Sequence, residues 1–168
     1  MGIGVMLDLD ETLVISRAIE PLRRNRQWKE CYAKFASTQL PDGTVEFLRK
    51  LQYLAVCGVV TTSPRAYAEK LVAFHKLNIP VLVAYHDVAQ RKPHPQPLLM
   101  GAQKLGIPIE RCVYIGDNES DVLATKRAGA MSLSVCWPGN DCCEPSFRSW
   151  SGVLKEIEMF NRGTNGLD

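Results

Sequence analysis

What most constrains this chain is an alternation of short apolar runs with longer stretches of helical periodicity. Apolar runs at 3–9, 59–62, 81–85, 112–115 and 131–137 read as five buried strands. Helix-like stretches lie between them, several with explicit start and stop residues. Asp42-Gly43-Thr44 opens one, with Val45, Leu48, Leu51 and Ala55 on its expected inner face and Gly58 as its stop. Ser63-Pro64 reads as an N-cap followed by proline at the first helical position, for a helix that runs to about Leu77. Another helix reaches Leu105 and stops at Gly106, the next spans 119–128 and closes at Gly129, and a last one spans 150–160. Residues 17–34 are polar, basic and weakly helical, with Trp28, Tyr32 and Phe35 among and beside them. Strands separated by helices run parallel and are joined by right-handed crossovers. The expected fold is therefore α/β: a doubly wound, Rossmann-like parallel sheet of about five strands with helices on both faces. Ligands of such sheets sit beyond the carboxyl ends of the strands, and chemistry is to be sought there.

The 168 residues suit a single domain, 1–168, with 14–41 as a short insertion and 162–168 as a loose tail. At 46% hydrophobic residues the core is of ordinary size and needs no staple. Lys and Arg number 20 against 18 Asp and Glu, so overall charge gives no nucleic-acid signal. No run approaches the roughly 18 apolar residues of a membrane span. Residues 1–7 lack the basic start of a secretory leader, and a cytoplasmic setting is expected. Cysteines at 31, 57, 112, 136, 142 and 143 form no CxxC pair. Cys57, Cys112 and Cys136 lie in or beside apolar runs and read as small core residues, with reduced thiols expected throughout. Cys136, Cys142 and Cys143 cluster in sequence, but adjacent cysteines seldom share a metal.

Polar residues gather just after the expected strands. The first ends in Asp8-Leu9-Asp10-Glu11-Thr12, the second in Thr61-Thr62; Lys92 follows the third, and Gly116-Asp117 ends the fourth, with Asp121 four residues on. Each has a plain reading in isolation. Acids cap helices and suit their first turns, Ser63 reads as a cap, and a loop lysine is usually solvated. Those readings do not explain why acids, hydroxyl and lysine recur at one sheet edge. Converging carboxylates repel one another and stay ionised together only around a cation. Asp8, Asp10 and Asp117 offer the oxygen ligands that suit Mg²⁺. A lysine and a hydroxyl beside such an ion make a cradle for a phosphoryl group, whose transfer depends on positioning and charge neutralisation.

With these residues in that order the chain resembles the haloacid dehalogenase superfamily of phosphatases, from Asp8 to Trp137, as a small, reduced-cap member. Its DxDx[TV] motif is matched by Asp8-Leu9-Asp10-Glu11-Thr12, and its strand-end hydroxyl by Thr61. Its lysine is matched by Lys92 in RKPHPQPLL, and its GDxxxD by Gly116 to Asp121. The resemblance implies Asp8 as nucleophile and metal ligand. It implies Asp10 as general acid and base, with its main-chain carbonyl on the metal. Thr61, Thr62 and Lys92 are then phosphate-binding, Asp117 is the third ligand to Mg²⁺, and Asp121 supports the ion from behind.

Asp10 points to phosphoester hydrolysis, since superfamily dehalogenases lack an acid there and transport ATPases carry Thr. Glu11 departs from the Gly of most small-molecule members. DLDETLV also occurs in phosphatases of phosphorylated RNA polymerase tails, although KPxPxP and GDNESD look like the metabolite branch. Residues 14–41 leave less chain than many metabolite phosphatases use as a cap, so an open site is expected, taking a large substrate or covered by a second copy in a homo-oligomer. The basic residues Arg23, Arg24, Arg26 and Lys29 read either as a solvated face or as contacts to an anionic substrate. Trp28, Tyr32 and Phe35 should pack on the body or on a second subunit. His75, His86 and His94 have no metal or hydrolase spacing, and there is no GxGxxG or GxxxxGK. The expected activity is a Mg²⁺-dependent phosphohydrolase acting through an aspartyl phosphate on Asp8, on a phosphorylated, small-molecule partner. The rivals are a phosphoprotein phosphatase, a receiver-type phospho-accepting domain and a module that kept the fold without activity.

Overall fold

The computed structural model describes residues 2–140 and 146–165. Five strands, β1 Ile3–Leu7, β2 Ala55–Val60, β3 Val81–Val83, β4 Cys112–Gly116 and β5 Met131–Ser134, form one parallel sheet in the order β3-β2-β1-β4-β5. In chain order the helices are α1 Glu20–Arg24, α2 Trp28–Ala33, α3 Thr44–Leu51, α4 Arg65–Phe74, α5 Gln96–Leu105, α6 Glu119–Ala128 and α7 Trp150–Asn165. Successive strand residues point to opposite faces, and the core divides accordingly. Val5, Leu7, Val59, Val113 and Ile115 pack with α3, α4 and α7 residues such as Phe47, Leu71 and Ile157. Met6, Val60, Cys112 and Tyr114 pack with Leu98 and Ala102 of α5 and Ala124 of α6. The expected doubly wound sheet, covered on both faces, is the fold. The chain winds outward from β1 to β3, then returns to β4 on the other side of β1, so the switch point lies between β1 and β4.

Several boundaries differ from expectation, each for a local reason. Gly58 does not stop α3. It sits inside β2, where an added Cβ would lie 3.0 Å from the Val81 Cβ of the neighbouring strand. Helix α3 ends at Leu51 and buries Thr44, Phe47 and Leu51, while Val45 is 65% exposed. The rotation follows from Trp150, whose ring stacks on Phe47 at 4.2 Å and whose Nε1 donates to Thr44 Oγ1 at 2.8 Å. Helix α4 stops at Phe74, with Lys76 in the left-handed region. Strand β3 ends at Val83 and β5 at Ser134. Helix α7 continues to Asn165 through part of the expected loose tail, and 166–168 lie outside the described residues.

The chain between β1 and α3 leaves and re-enters the body through a narrow neck. Ile15 N–H donates to Gln39 O at 2.8 Å, and Gln39 N–H donates back at 3.1 Å. Inside it are two short 3₁₀ turns, Arg17–Ile19 and Phe35–Ser37, flanking α1 and α2. Its aromatics rest on the body: Trp28 and Phe35 each lie 5.7 Å from the Tyr67 ring of α4, and Tyr32 meets Phe35 at 5.7 Å. Among the cysteines, Cys31, Cys57 and Cys112 are free, with Cys57 only half-buried. Cys136 is disulfide-bonded, which corrects the expectation of reduced thiols throughout. Cys142 and Cys143 lie outside the described residues. Among the described residues no helix is long and apolar enough to cross a membrane.

Candidate active site

The switch point holds a buried acidic floor. Asp8 follows β1 and is fixed by its N–H, which donates to Ile115 O at 2.8 Å. Asp117 follows β4, and Asp121 comes from the first turn of α6; one carboxylate oxygen of each of the three lies within 4.8 Å of the others. Asp121 is placed by a capping box. Its N–H donates to Asn118 Oδ1 at 3.2 Å, while its own Oδ2 accepts from the Asn118 and Asp117 N–H groups. Gly116 makes this possible, since a Cβ there would collide with the Asp121 carboxylate.

Lys92 reaches into this floor with its side chain 2% exposed. Its ammonium donates to Asp121 Oδ1 at 2.6 Å and to the Tyr114 hydroxyl at 2.7 Å, and lies 3.0 Å from Asp8 Oδ1. Tyr114 in turn donates to Val60 O at 2.9 Å. The ammonium also lies 3.4 Å from Val60 O, so Asp8 meets it as an ion pair without an aligned hydrogen bond. Burial lowers the affinity of this ammonium for its proton, but Asp8 and Asp121 outweigh burial and hold it charged. The acids respond in the opposite sense. Burial pushes Asp8 up to about 8 despite Lys92, with Asp121 and Asp117 adding repulsion. Asp117 rises to about 6, again through burial first and then Asp121, against the Thr12 hydrogen bond. Asp8 Oδ1 is buried without a hydrogen-bond donor, and an all-oxygen carboxylate set fits a hard divalent cation such as Mg²⁺.

Above the floor is a rim built around Asp10. Its Oδ1 accepts from Ser16 Oγ at 2.7 Å and the Tyr67 hydroxyl at 2.8 Å, and its Oδ2 accepts from Ser63 Oγ at 2.6 Å. The Arg23 guanidinium of α1 closes the shell in a direct ion pair. Glu11 has a left-handed backbone, φ 60°, at the position where the resemblance expects glycine. Its side chain compensates by accepting from Ser16 N–H at 2.7 Å and by meeting Arg17 Nε at 3.4 Å. Thr12 is fully buried. Its hydroxyl donates to Asp117 Oδ1 at 3.0 Å, and its carbonyl accepts from Trp137 Nε1 at 2.8 Å.

The sequence-derived candidates therefore divide. Asp8, Lys92, Asp117 and Asp121 meet in the floor. Asp121 stands within the acid cluster itself, and the Asp10 carboxylate does not. Thr61 is buried beside the floor; its Oγ1 accepts from Ser63 N–H at 3.1 Å, and its hydroxyl hydrogen has no acceptor among the described residues. Thr62 is exposed and lines a separate cavity with Arg23. Ser63 does not cap α4, whose N-cap is Pro64; its hydroxyl serves Asp10 instead. Ser16, Tyr67 and Tyr114 were not anticipated. The signal for Tyr114 was a polar-tipped aromatic inside an otherwise apolar strand two residues before GD. Arg23, read either as a solvated face or as a substrate contact, is an internal partner of the site.

A sequence model described as haloacid dehalogenase-like hydrolase matches residues 14–135. The chain belongs to the haloacid dehalogenase-like hydrolases. Membership sets aside the receiver-type reading. A phosphoglycolate phosphatase of Xanthomonas campestris is 37% identical over 102 residues, 59% of this chain and 46% of the relative. Pyrophosphatase PpaX of Bacillus cereus is 36% identical over 96 residues, 56% and 44% of the two chains. The chain thus spans about half the length of the curated relatives it matches. Among solved structures, a family hydrolase from Deinococcus radiodurans with bound phosphate and sodium superposes with a TM-score of 0.76 at 20% identity, covering 94% of this chain and 97% of that one. CbbY from Rhodobacter sphaeroides in complex with phosphate gives 0.74 at 16% identity, covering 94% and 100%. At these identities the superpositions speak for the fold.

Proposed function

We propose that the chain is a Mg²⁺-dependent phosphohydrolase that cleaves a phosphate monoester of a small molecule through an aspartyl phosphate on Asp8. The observation that carries this reading is the trio of buried Asp8 and Asp121 with half-buried Asp117, and Lys92 3.0 Å from Asp8. Asp8 and Asp117 are the carboxylates that would hold Mg²⁺, joined by the Asp10 carbonyl. The ion's contribution when bound is to neutralise charge on the phosphoryl oxygens and on the acids. An Asp8 oxygen forms the new bond to phosphorus while the ester P–O bond breaks. Asp10 gives its proton to the leaving oxygen. Water then attacks the phosphorus of the acyl phosphate, Asp10 takes up the water proton, and the Asp8–phosphorus bond breaks to release inorganic phosphate. Lys92 and the uncommitted Thr61 hydroxyl hold the transferring oxygens throughout.

Residues 14–41 act as a short cap in this reading, with Arg23 lying on Asp10. A cytoplasmic setting goes with it, and the disulfide at Cys136 pulls against that setting. The test is continuous phosphate release from p-nitrophenyl phosphate with Mg²⁺ and with EDTA. Multiple turnovers that EDTA stops are expected. A single stoichiometric labelling, or no release from any monoester, overturns the proposal.

A further inference from the structure

A second cavity, of about 400 Å³, adjoins the rim and is lined by Arg23, Arg24, Arg26, Trp28, Thr62, Pro64, Tyr85 and His86. No carboxylate is in that lining, and Asp8 and Lys92 are not part of it, so it is distinct from the place where phosphorus is attacked. It is nevertheless continuous with that place, because Thr62 follows Thr61 and Arg23 touches Asp10. Three guanidinium groups on one cavity repel one another unless anions answer them. Glu20 answers Arg24 from the same helix, and Asp10 answers Arg23. Arg26 has no acidic partner among the described residues. The planar fork of arginine matches carboxylate and phosphate two bonds at a time. Trp28 supplies an apolar wall, and the volume falls in the range of small-ligand pockets.

We propose that this arginine-lined cavity receives a second anionic group, carboxylate or phosphate, carried on the leaving portion of the phosphoryl substrate. The inference rests on the phosphohydrolase reading and adds the substrate class to it. It also couples recognition to chemistry. Arg23 belongs to both places, so an anion arriving in the cavity competes with Asp10 for the same guanidinium. As Arg23 turns to the substrate, Asp10 keeps the hydroxyl donors of Ser16, Ser63 and Tyr67 and becomes available to the leaving oxygen. A monoester without a second anion leaves Arg23 on Asp10 and reacts slowly.

Phosphate release by the full chain with Mg²⁺ is measured on two matched pairs, glycerol 3-phosphate against 3-phosphoglycerate and fructose 6-phosphate against fructose 1,6-bisphosphate. p-Nitrophenyl phosphate serves as reference. The second anion is expected to raise kcat/KM by roughly 10- to 100-fold in at least one pair. The double variant R24A/R26A should lose most of that gain, and R26K should keep part of it. Equal kcat/KM within both pairs, with p-nitrophenyl phosphate still hydrolysed, overturns this inference and leaves the phosphohydrolase reading intact. An undiminished gain in R24A/R26A overturns the assignment to this cavity. No release from any of the five compounds overturns both readings together.

Discussion

Asp8 and Asp10 are two residues apart on one loop, yet they occupy opposite surroundings. Asp8 is 6% exposed, and its Oδ1 has an ion pair with Lys92 but no aligned hydrogen bond. Asp10 takes three hydroxyl donors and a guanidinium. One carboxylate is starved of donors, the other saturated. A starved carboxylate facing a lysine suits an oxygen that must form a bond to phosphorus and lose it again. A saturated one suits a group whose proton traffic is governed by what its neighbours release. The difference also follows the fold: the floor takes Asp8 and Asp117 from the ends of β1 and β4, Asp121 from the first turn of α6 and Lys92 from the loop before α5, whereas the rim is assembled from residues 14–41 and the start of α4.

The sharpest way to break this contrast is Asp8→Asn. It should abolish turnover of p-nitrophenyl phosphate while leaving the circular dichroism unchanged, and retained turnover removes Asp8 from the nucleophilic role. Asp10→Asn is expected to lower kcat by about 10² to 10⁴; a near-normal rate reassigns the acid to another residue. Lys92→Ala leaves Asp8 and Asp121 facing each other without compensation, and should reduce unfolding free energy by about 3–5 kcal/mol in urea titration. A loss under 1 kcal/mol, within the range typical of surface substitutions, would show that the floor is wetter than its burial implies.

A titration sharpens the same comparison. Asp8 and Asp117 bind protons in the folded, metal-free protein up to about 8 and about 6, above the range where the unfolded chain has released them. Their contribution to stability is therefore greatest in acid and falls as pH rises through that window. Mg²⁺ binds the deprotonated acids, so the gap in Tm between Mg²⁺ and EDTA should widen from pH 5 to pH 8. A constant gap counts against both acids as ligands. The smallest effect is expected at the rim. Glu11→Gly relieves a left-handed backbone by about 1–2 kcal/mol and loses hydrogen bonds of about the same total size. Chemical denaturation should show a net change below about 1 kcal/mol, and a loss of 3 or more would make the Glu11 side chain the anchor of the insertion.

The floor was legible because its residues lie at fixed offsets from strand ends, and strands announce themselves as apolar runs. The sequence alone assigns Asp8, Lys92, Asp117 and Asp121 to one sheet edge. The rim was not, because Ser16, Arg23, Ser63 and Tyr67 share no spacing; only the path of the insertion brings them to Asp10. Ser63 was hidden by its own plausible role before a proline, and Tyr114 by the apolar run around it. Boundaries failed where tertiary contact overrode pattern. Val45 fits a helical apolar stripe, but the stack of Trp150 on Phe47 decides which face of α3 is buried, and Gly58 looks like a terminator until β3 lies against it.

The hydrogen bond from Trp137 to the Thr12 carbonyl has a practical consequence. The chain has three tryptophans. Trp137 grips the loop that follows Asp10, at Thr12, and leans on Trp150 at 4.8 Å, while Trp28 covers Tyr67 at the opposite rim. Indole emission responds to polarity and to nearby rings, so the polypeptide carries its own optical gauge. Events at the acids and motions of the insertion can be followed as separate changes of colour in unlabelled material.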